Sequence, residues 1–250
     1  MSNLRSELYS AFYDSDPDPI VEFMQWLASA YGVSHPPQIL DVGCGPGRML
    51  SEFAQLGWKT MGMEPNPDYF RQASKVAEAF ENVNLQVGGF GDIEAVEQFD
   101  IVAAINGSFY YLLKIEERID ALCRIFQALK PGGILFLDMA NFLWILNNFR
   151  ARVERTATVR GQRVNLVAHH EVDFHQCIFT SVEEFWWDNP IDGEVKITEI
   201  SKFAMIGLPE LLYFIRKQGF IDIRTYNSYK SRVSERITGS RLMISAQKSK

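Results

Sequence analysis

Gly43, Gly45 and Gly47 occupy alternate positions directly after Ile39-Leu40-Asp41-Val42. An apolar run that ends in an acid and breaks into a glycine turn reads as a buried strand meeting a ligand, because glycine lets the main chain approach what a Cβ would block. Arg48 to Ala54 follows with helical apolar spacing, and Pro46 is tolerated ahead of a first turn. Strand, turn and helix together open a nucleotide-binding α/β unit. The spacing argues against two ligands. A P-loop needs four residues between its glycines and then Lys-Ser/Thr, whereas Gly47 precedes Arg48-Met49. A nicotinamide dinucleotide fold wants G-x-G-x-x-G, and here the spacing is G-x-G-x-G. Lys59 to Glu64 reads as a second strand whose closing carboxylate falls about twenty residues on, where such folds bind ribose hydroxyls. The turn and the carboxylate point to an adenosine-type ligand.

The elements that must position these groups can be followed along the chain. Residues up to about 14, with Leu4, Leu8, Tyr9, Phe12 and Tyr13, have loosely helical apolar spacing. Asp14-Ser15-Asp16-Pro17 supplies an N-cap and first-turn proline for a helix with Ile20, Met24, Leu27, Ala28 and Tyr31 on one face. Asn66-Pro67 starts a helix to about Ala79, and Val83 to Val87 is a third strand. Phe99 to Ile105 is a fourth, with Asn106-Gly107-Ser108-Phe109-Tyr110-Tyr111 at its carboxyl end, where open α/β sheets hold ligands. A helix with Ile115, Ile119, Leu122, Phe126 and Leu129 stops at Pro131-Gly132-Gly133, and a fifth strand spans Ile134 to Met139. From about Trp144 to Phe203 the chain turns to β-branched and aromatic residues, with a turn at Asp192-Gly193, which predicts an antiparallel insertion. Its His169, His170 and His175 lack metal-ligand spacing, so no metal is expected, and His170 is the candidate general base. Trp186 and Trp187 either line an aromatic pocket or pack the sheet. A last helix started by Ile206-Gly207-Leu208-Pro209 and ending at Gly219-Phe220, and a closing pair, Ile221–Tyr226 with Arg241–Ala246, complete the chain.

Ile39 to Gly47, Gly62-Met63-Glu64-Pro65-Asn66, Phe99-Asp100-Ile101-Val102 and Leu129-Lys130-Pro131-Gly132-Gly133, in this order, resemble the class I S-adenosylmethionine-dependent methyltransferases, small-molecule type. The resemblance covers about residues 36 to 140 and the C-terminal tail. It implies a Rossmann-like, doubly wound, mostly parallel sheet with an antiparallel last strand, plus a small antiparallel β insertion. It divides the chain into an N-terminal helical cap (1–35), a methyltransferase core (36–143 and 206–250) and an inserted β cap over the substrate pocket (144–205). The cofactor it implies is S-adenosyl-L-methionine, with Tyr13, Asp41, Gly43, Cys44, Gly45, Glu64, Pro65, Gly89, Phe90, Asn106 and Gly107 around it. Tyr110, Asn141 and His170 would meet the substrate, and Tyr13 is a second candidate base. Tyr9 and Tyr13 either close over the ligand or pack the cap. Such proteins commonly read Gly-Asp-Ala after the third strand, the Asp binding the adenine amino group. Here Gly89 and Phe90 hold those places, so the adenine contact falls either to Asp92 or to the Phe90 backbone.

With 250 residues the chain can form one α/β domain carrying an insertion. A formal net charge of -6 argues against a polyanion-binding surface and so against nucleic acid. Gly107-Ser108 replaces the prolines of the Asn-Pro-Pro-aromatic motif of DNA amino-methyltransferases, which removes support for base modification. Cys44, Cys123 and Cys177 are odd in number and have no C-x-x-C pair, fitting a reducing cytoplasm. No signal-peptide pattern and no apolar run of about twenty residues is read, so no membrane is expected. The expected partner is a small-molecule methyl acceptor, and the expected state monomer or homodimer. The alternatives are a non-catalytic protein that binds S-adenosylmethionine or S-adenosylhomocysteine, and a nicotinamide oxidoreductase, which the glycine spacing disfavours.

Overall fold

The computed structural model describes residues 4–13, 16–189 and 193–250, so Asp14 and Ser15 of the expected N-cap and Asp192 of the expected turn lie outside it. A seven-stranded sheet runs in the order β10-β11-β5-β4-β1-β2-β3. Its strands are β1 (Gln38–Val42), β2 (Lys59–Glu64), β3 (Val83–Val87), β4 (Phe99–Ala104), β5 (Leu129–Ala140), β10 (Phe220–Tyr226) and β11 (Arg241–Lys248). The first five pair in parallel, and β11 lies antiparallel between β5 and β10. Parallel strands covered on both faces read as near-continuous apolar runs, which is why Ile39-Leu40, Ile101-Val102 and Ile134 to Leu137 were legible. β5 begins at Leu129, ahead of the Pro-Gly-Gly expected to precede it.

Helices cover both faces. α5 (Ile115–Ala128) and α7 (Leu208–Lys217) bury Leu122, Ile125, Leu211 and Ile215 against Leu40, Val42, Val102 and Ile244. α2 (Asp18–Ala30) and α3 (Arg48–Gln55) bury Phe23, Met24, Leu27 and Phe53 against Ile39, Phe136 and Met243 on the other face. α4 (Pro67–Ala79), capped by the Asn66 side chain, packs Ala73 against Leu50 and Val83. The N-terminal cap expected over residues 1–35 therefore divides. α2 belongs to a sheet layer because its apolar face is wide enough to cover one, and only α1 (Leu4–Tyr13) lies elsewhere.

A second sheet orders β6 (Arg152–Val159), β7 (Gln162–Asp173), β8 (Ile178–Asn189) and β9 (Gly193–Ala204), every neighbour antiparallel. One end of its inner face packs Val164, Leu166, Phe185 and Trp187 on Leu8 of α1, while Trp186 is half-exposed. Between the two sheets runs a short helix, α6 (Phe142–Asn147), which the sequence reading missed. No helix among the described residues is long and apolar enough to cross a membrane.

Candidate active site

At the carboxyl ends of β1 and β2 the pairing sets Val42 beside Met63, which brings Glu64 level with the glycine turn. Glu64 is 5% exposed; its two oxygens accept from Gly45 N at 2.9 Å and Asn66 N at 2.7 Å. Each oxygen keeps a lone pair. Burial pushes the carboxyl up, opposed by those two N–H groups. Gly43 has φ +74°, and a Cβ on it would fall 2.5 Å from the Ser108 Cβ. Ser108 Oγ donates to Val42 O at 2.6 Å, locking the turn after β4 against the turn after β1. Gly45 has φ +59°, and a Cβ there would meet nothing within 4 Å. The first glycine thus permits a close crossing of chain on chain, while the second borders open space.

That space is a cavity of about 1570 Å³ between the large sheet's edge, α1 and the inner face of the small sheet. Of the residues singled out from sequence, Tyr13, Gly43, Gly45, Glu64, Pro65, Gly89, Phe90, Asn106, Gly107, Tyr110 and His170 border it. Three do not. Cys44 turns into the cluster of Leu50 and Ala73, where burial pushes its thiol up, so it offers a ligand no side chain. Asn141 uses its amide on Gly239 O at 2.8 Å and its N–H on Ser240 O at 2.8 Å, which ties β5 to the β10–β11 loop and removes it from the expected substrate set. Asp41 lies behind the turn, 2% exposed, with Oδ1 unpartnered. Burial, then the Glu64 carboxylate, raise its pKa to about 7. Asp92 Oδ2 accepts from Gly89 N at 2.8 Å, capping the turn after β3.

The two candidate bases differ. Burial and the Glu183 carboxylate push the Tyr13 phenol far above its ordinary range, so Tyr13 is held as a proton donor to Glu183 and is unsuited to act as a base. His170 Nδ1 lies 2.8 Å from Arg150 O, and its ring is 5.0 Å from Phe179. His169 and His175 are exposed and do not border the cavity. Among the described residues no group of three His, Cys, Asp or Glu side chains is placed to hold a metal ion.

Asp138, two residues before the end of β5, was not singled out from sequence. Its carboxylate is 1% exposed and accepts from Asn106 N at 3.0 Å, Tyr229 Oη at 2.5 Å and Arg241 Nη1 at 3.0 Å. Its carbonyl accepts from Gly107 N at 2.8 Å. The turn facing the cavity is thus fixed on both sides, by Ser108 toward β1 and by Asp138 toward β5.

The half-used carboxylate of Glu64 and the open face of Gly45, with the buried acid Asp41 behind the turn, fit a cationic adenosyl ligand. Residues 39–133 match the family model described as a methyltransferase domain. A putative methyltransferase of Geobacillus sp. (strain WCH70) is 30% identical over 118 residues, 47% of this chain and 48% of the relative, so the chain spans about half the length of the curated relatives it matches. Two solved structures share the fold over nearly the full length. An S-adenosylmethionine-dependent methyltransferase from Clostridium acetobutylicum has TM-score 0.80, 13% identity and 99% coverage of both chains. An S-adenosylmethionine-bound amino pentose methyltransferase from Micromonospora echinaspora, involved in calicheamicin biosynthesis, has TM-score 0.78, 18% identity and coverage of 98% of this chain and 97% of that one. Residues 39–133, which hold the glycine turn and the strand-end Glu64, thus match a methyltransferase domain, and the sheet order around them is the fold of the solved S-adenosylmethionine-dependent methyltransferases.

Proposed function

We propose that this protein transfers a methyl group from S-adenosylmethionine to an oxygen or nitrogen atom of a small molecule, mainly by holding donor and acceptor in line. The observation that carries this reading is Glu64, buried at the cavity rim and bonded to the glycine turn with lone pairs to spare for a ribose diol. When bound, the cofactor supplies an activated methyl group with its own leaving group. The chain then has to bind and orient, and alignment alone is worth roughly 7 to 11 kcal/mol.

In this reading the Gly43 and Gly45 backbone takes the methionine and ribose portions. Asp41 orders the turn. Because Asp92 is engaged with Gly89 N, the Phe90 backbone and ring take the adenine. Asn106 and Gly107 face the methyl group, and Tyr110 faces the acceptor. The cavity exceeds the about 300 to 1,000 Å³ of ordinary ligand sites, which leaves room for both partners and favours transfer over binding without turnover.

A carboxylate hydrogen bond contributes about 1.5 to 3 kcal/mol. Glu64→Ala should therefore weaken cofactor binding by calorimetry about ten- to hundred-fold, at 1.4 kcal/mol per decade. Unchanged affinity in a folded variant would remove Glu64 from the site and this reading with it. Tritiated methyl transfer to a small-molecule extract tests turnover; tight binding without transfer would leave the non-catalytic alternative.

A further inference from the structure

The cavity has two chemically different ends. Under α1 it carries the charged side chains Arg5, Glu64, Glu183 and Glu199 beside the phenol rings of Tyr9, Tyr13 and Tyr69. Under α6 it is walled by rings, those of Tyr110, Trp144, Phe149, Phe179 and Phe203. Centroids lie 4.9 Å apart for Tyr110 and Phe203, 6.4 Å for Phe203 and Phe179, and 6.5 Å for Phe179 and Phe149. Phe142 backs the wall, 5.6 Å from Tyr110 and 5.5 Å from Phe179.

The wall begins at the turn after β4, where Gly107 lies so close to Tyr110 that a Cβ would fall 2.0 Å from its ring. It ends at His170, 5.0 Å from Phe179. Packing does not account for all of it. Trp144 is 40% exposed and Phe149 41%, and both border the cavity, so large apolar surface is left open to whatever enters. A polyol would set its hydroxyls against ring faces that offer a poor hydrogen-bond partner, and only the bordering polar groups such as Asn148 and Arg241 could compensate. A flat ring would offer edges and faces to the rings already there, an arrangement favourable beyond the area it buries.

His170 supplies the far limit. The Arg150 carbonyl can only accept, so Nδ1 carries the proton in this contact, and in the neutral ring Nε2 is left as an acceptor.

We propose that the methyl acceptor is a flat aromatic molecule that lies along this wall, its reacting atom at the turn after β4 and a hydroxyl or N–H at its far edge donating to His170 Nε2. The orientation rests on the methyl-transfer reading, which gives the turn its meaning; the preference for a flat ring rests on the wall alone.

Calorimetry with the full chain tests the two separately. The protein, with and without S-adenosylhomocysteine, is titrated with 2-naphthol, with its saturated analogue decahydro-2-naphthol and with methyl glucosaminide. Naphthol should bind about ten-fold more tightly than the saturated alcohol, which has a similar outline and hydroxyl but no ring face. The double variant Phe179→Leu, Phe203→Leu keeps an apolar wall without rings. It should lose about five-fold or more for naphthol and less than two-fold for the saturated alcohol. Equal binding of the two alcohols, equal losses in the variant, or a preference for the amino sugar would overturn the proposal. Failure of S-adenosylhomocysteine to bind would overturn the methyl-transfer reading instead, and the naphthol contrast in the free protein would still decide the class of acceptor.

Discussion

Gly43 and Gly45 share a left-handed backbone and answer different demands. An alanine forced into that conformation costs about 1 to 2 kcal/mol at either position. At Gly43 its Cβ would also overlap Ser108 at 2.5 Å, and Ser108 cannot retreat without breaking its bond to Val42 O. Overpacking adds about 1 to 3 kcal/mol. At Gly45 there is no protein atom to strike. Gly45→Ala should therefore fold, with a melting temperature lowered by about 5 °C, and should lose ten-fold or more in affinity for S-adenosylmethionine, whose atoms would occupy the space its methyl enters. Gly43→Ala should lose at least twice as much stability. Thermal melts paired with calorimetry check both; intact affinity in Gly45→Ala would put the ligand elsewhere.

β5 and β11 join groups that the chain keeps 91 and 103 positions apart, since Asp138 meets Tyr229 from the β10–β11 loop and Arg241 from the first position of β11. Replacing Asp138 by Ala strands the Asn106 N–H, the Tyr229 hydroxyl and a guanidinium that is about a third exposed. Breaking such a pair costs about 3 kcal/mol, whereas Tyr229→Phe removes one bond to a charged group at about 1.5 kcal/mol. Urea denaturation should rank the two variants in that order, and a loss below about 1 kcal/mol for Asp138→Ala would mean that the turn at Asn106 is held by something else. This contact also marks the limit of what could be read ahead of the fold. Glu64 was legible because it ends a strand beside a glycine turn, and the roof strands because their β-branched and aromatic runs are long. Asp138 lies two residues before the end of β5, inside an apolar run, and its partners depend on register between distant elements. α6 was missed because the six residues from Phe142 to Asn147 are too few to display a helical period. The side taken by α2 was misread because an amphipathic face states that it is covered without saying by what.

Glu64, Asp138 and Glu199 at the cavity and Asp41 behind its glycine turn are all pushed up, in each case first by burial. For Asp41 the folded value is about 7 against 3.8 for the ordinary side chain. Between those values the folded state binds more protons than the unfolded one, and stability must fall as pH rises. Asp41 therefore contributes fully below about pH 4, and its contribution is lost as pH climbs through about 7. Melting temperatures of the free protein should decline from pH 5 to 7, and Asp41→Asn should flatten the decline. A positively charged ligand set against these carboxylates reverses the preference, because it favours their ionised forms and releases the protons. Affinity for S-adenosylmethionine should accordingly rise from pH 5 to 7, by up to about ten-fold per pH unit if one proton is displaced, and less steeply in Asp41→Asn. The same burial that weakens the empty fold near neutral pH then strengthens its hold on a cationic donor. A flat binding profile over this range, or an unchanged slope in Asp41→Asn, would show that the buried acid behind the glycine turn does not sense the ligand.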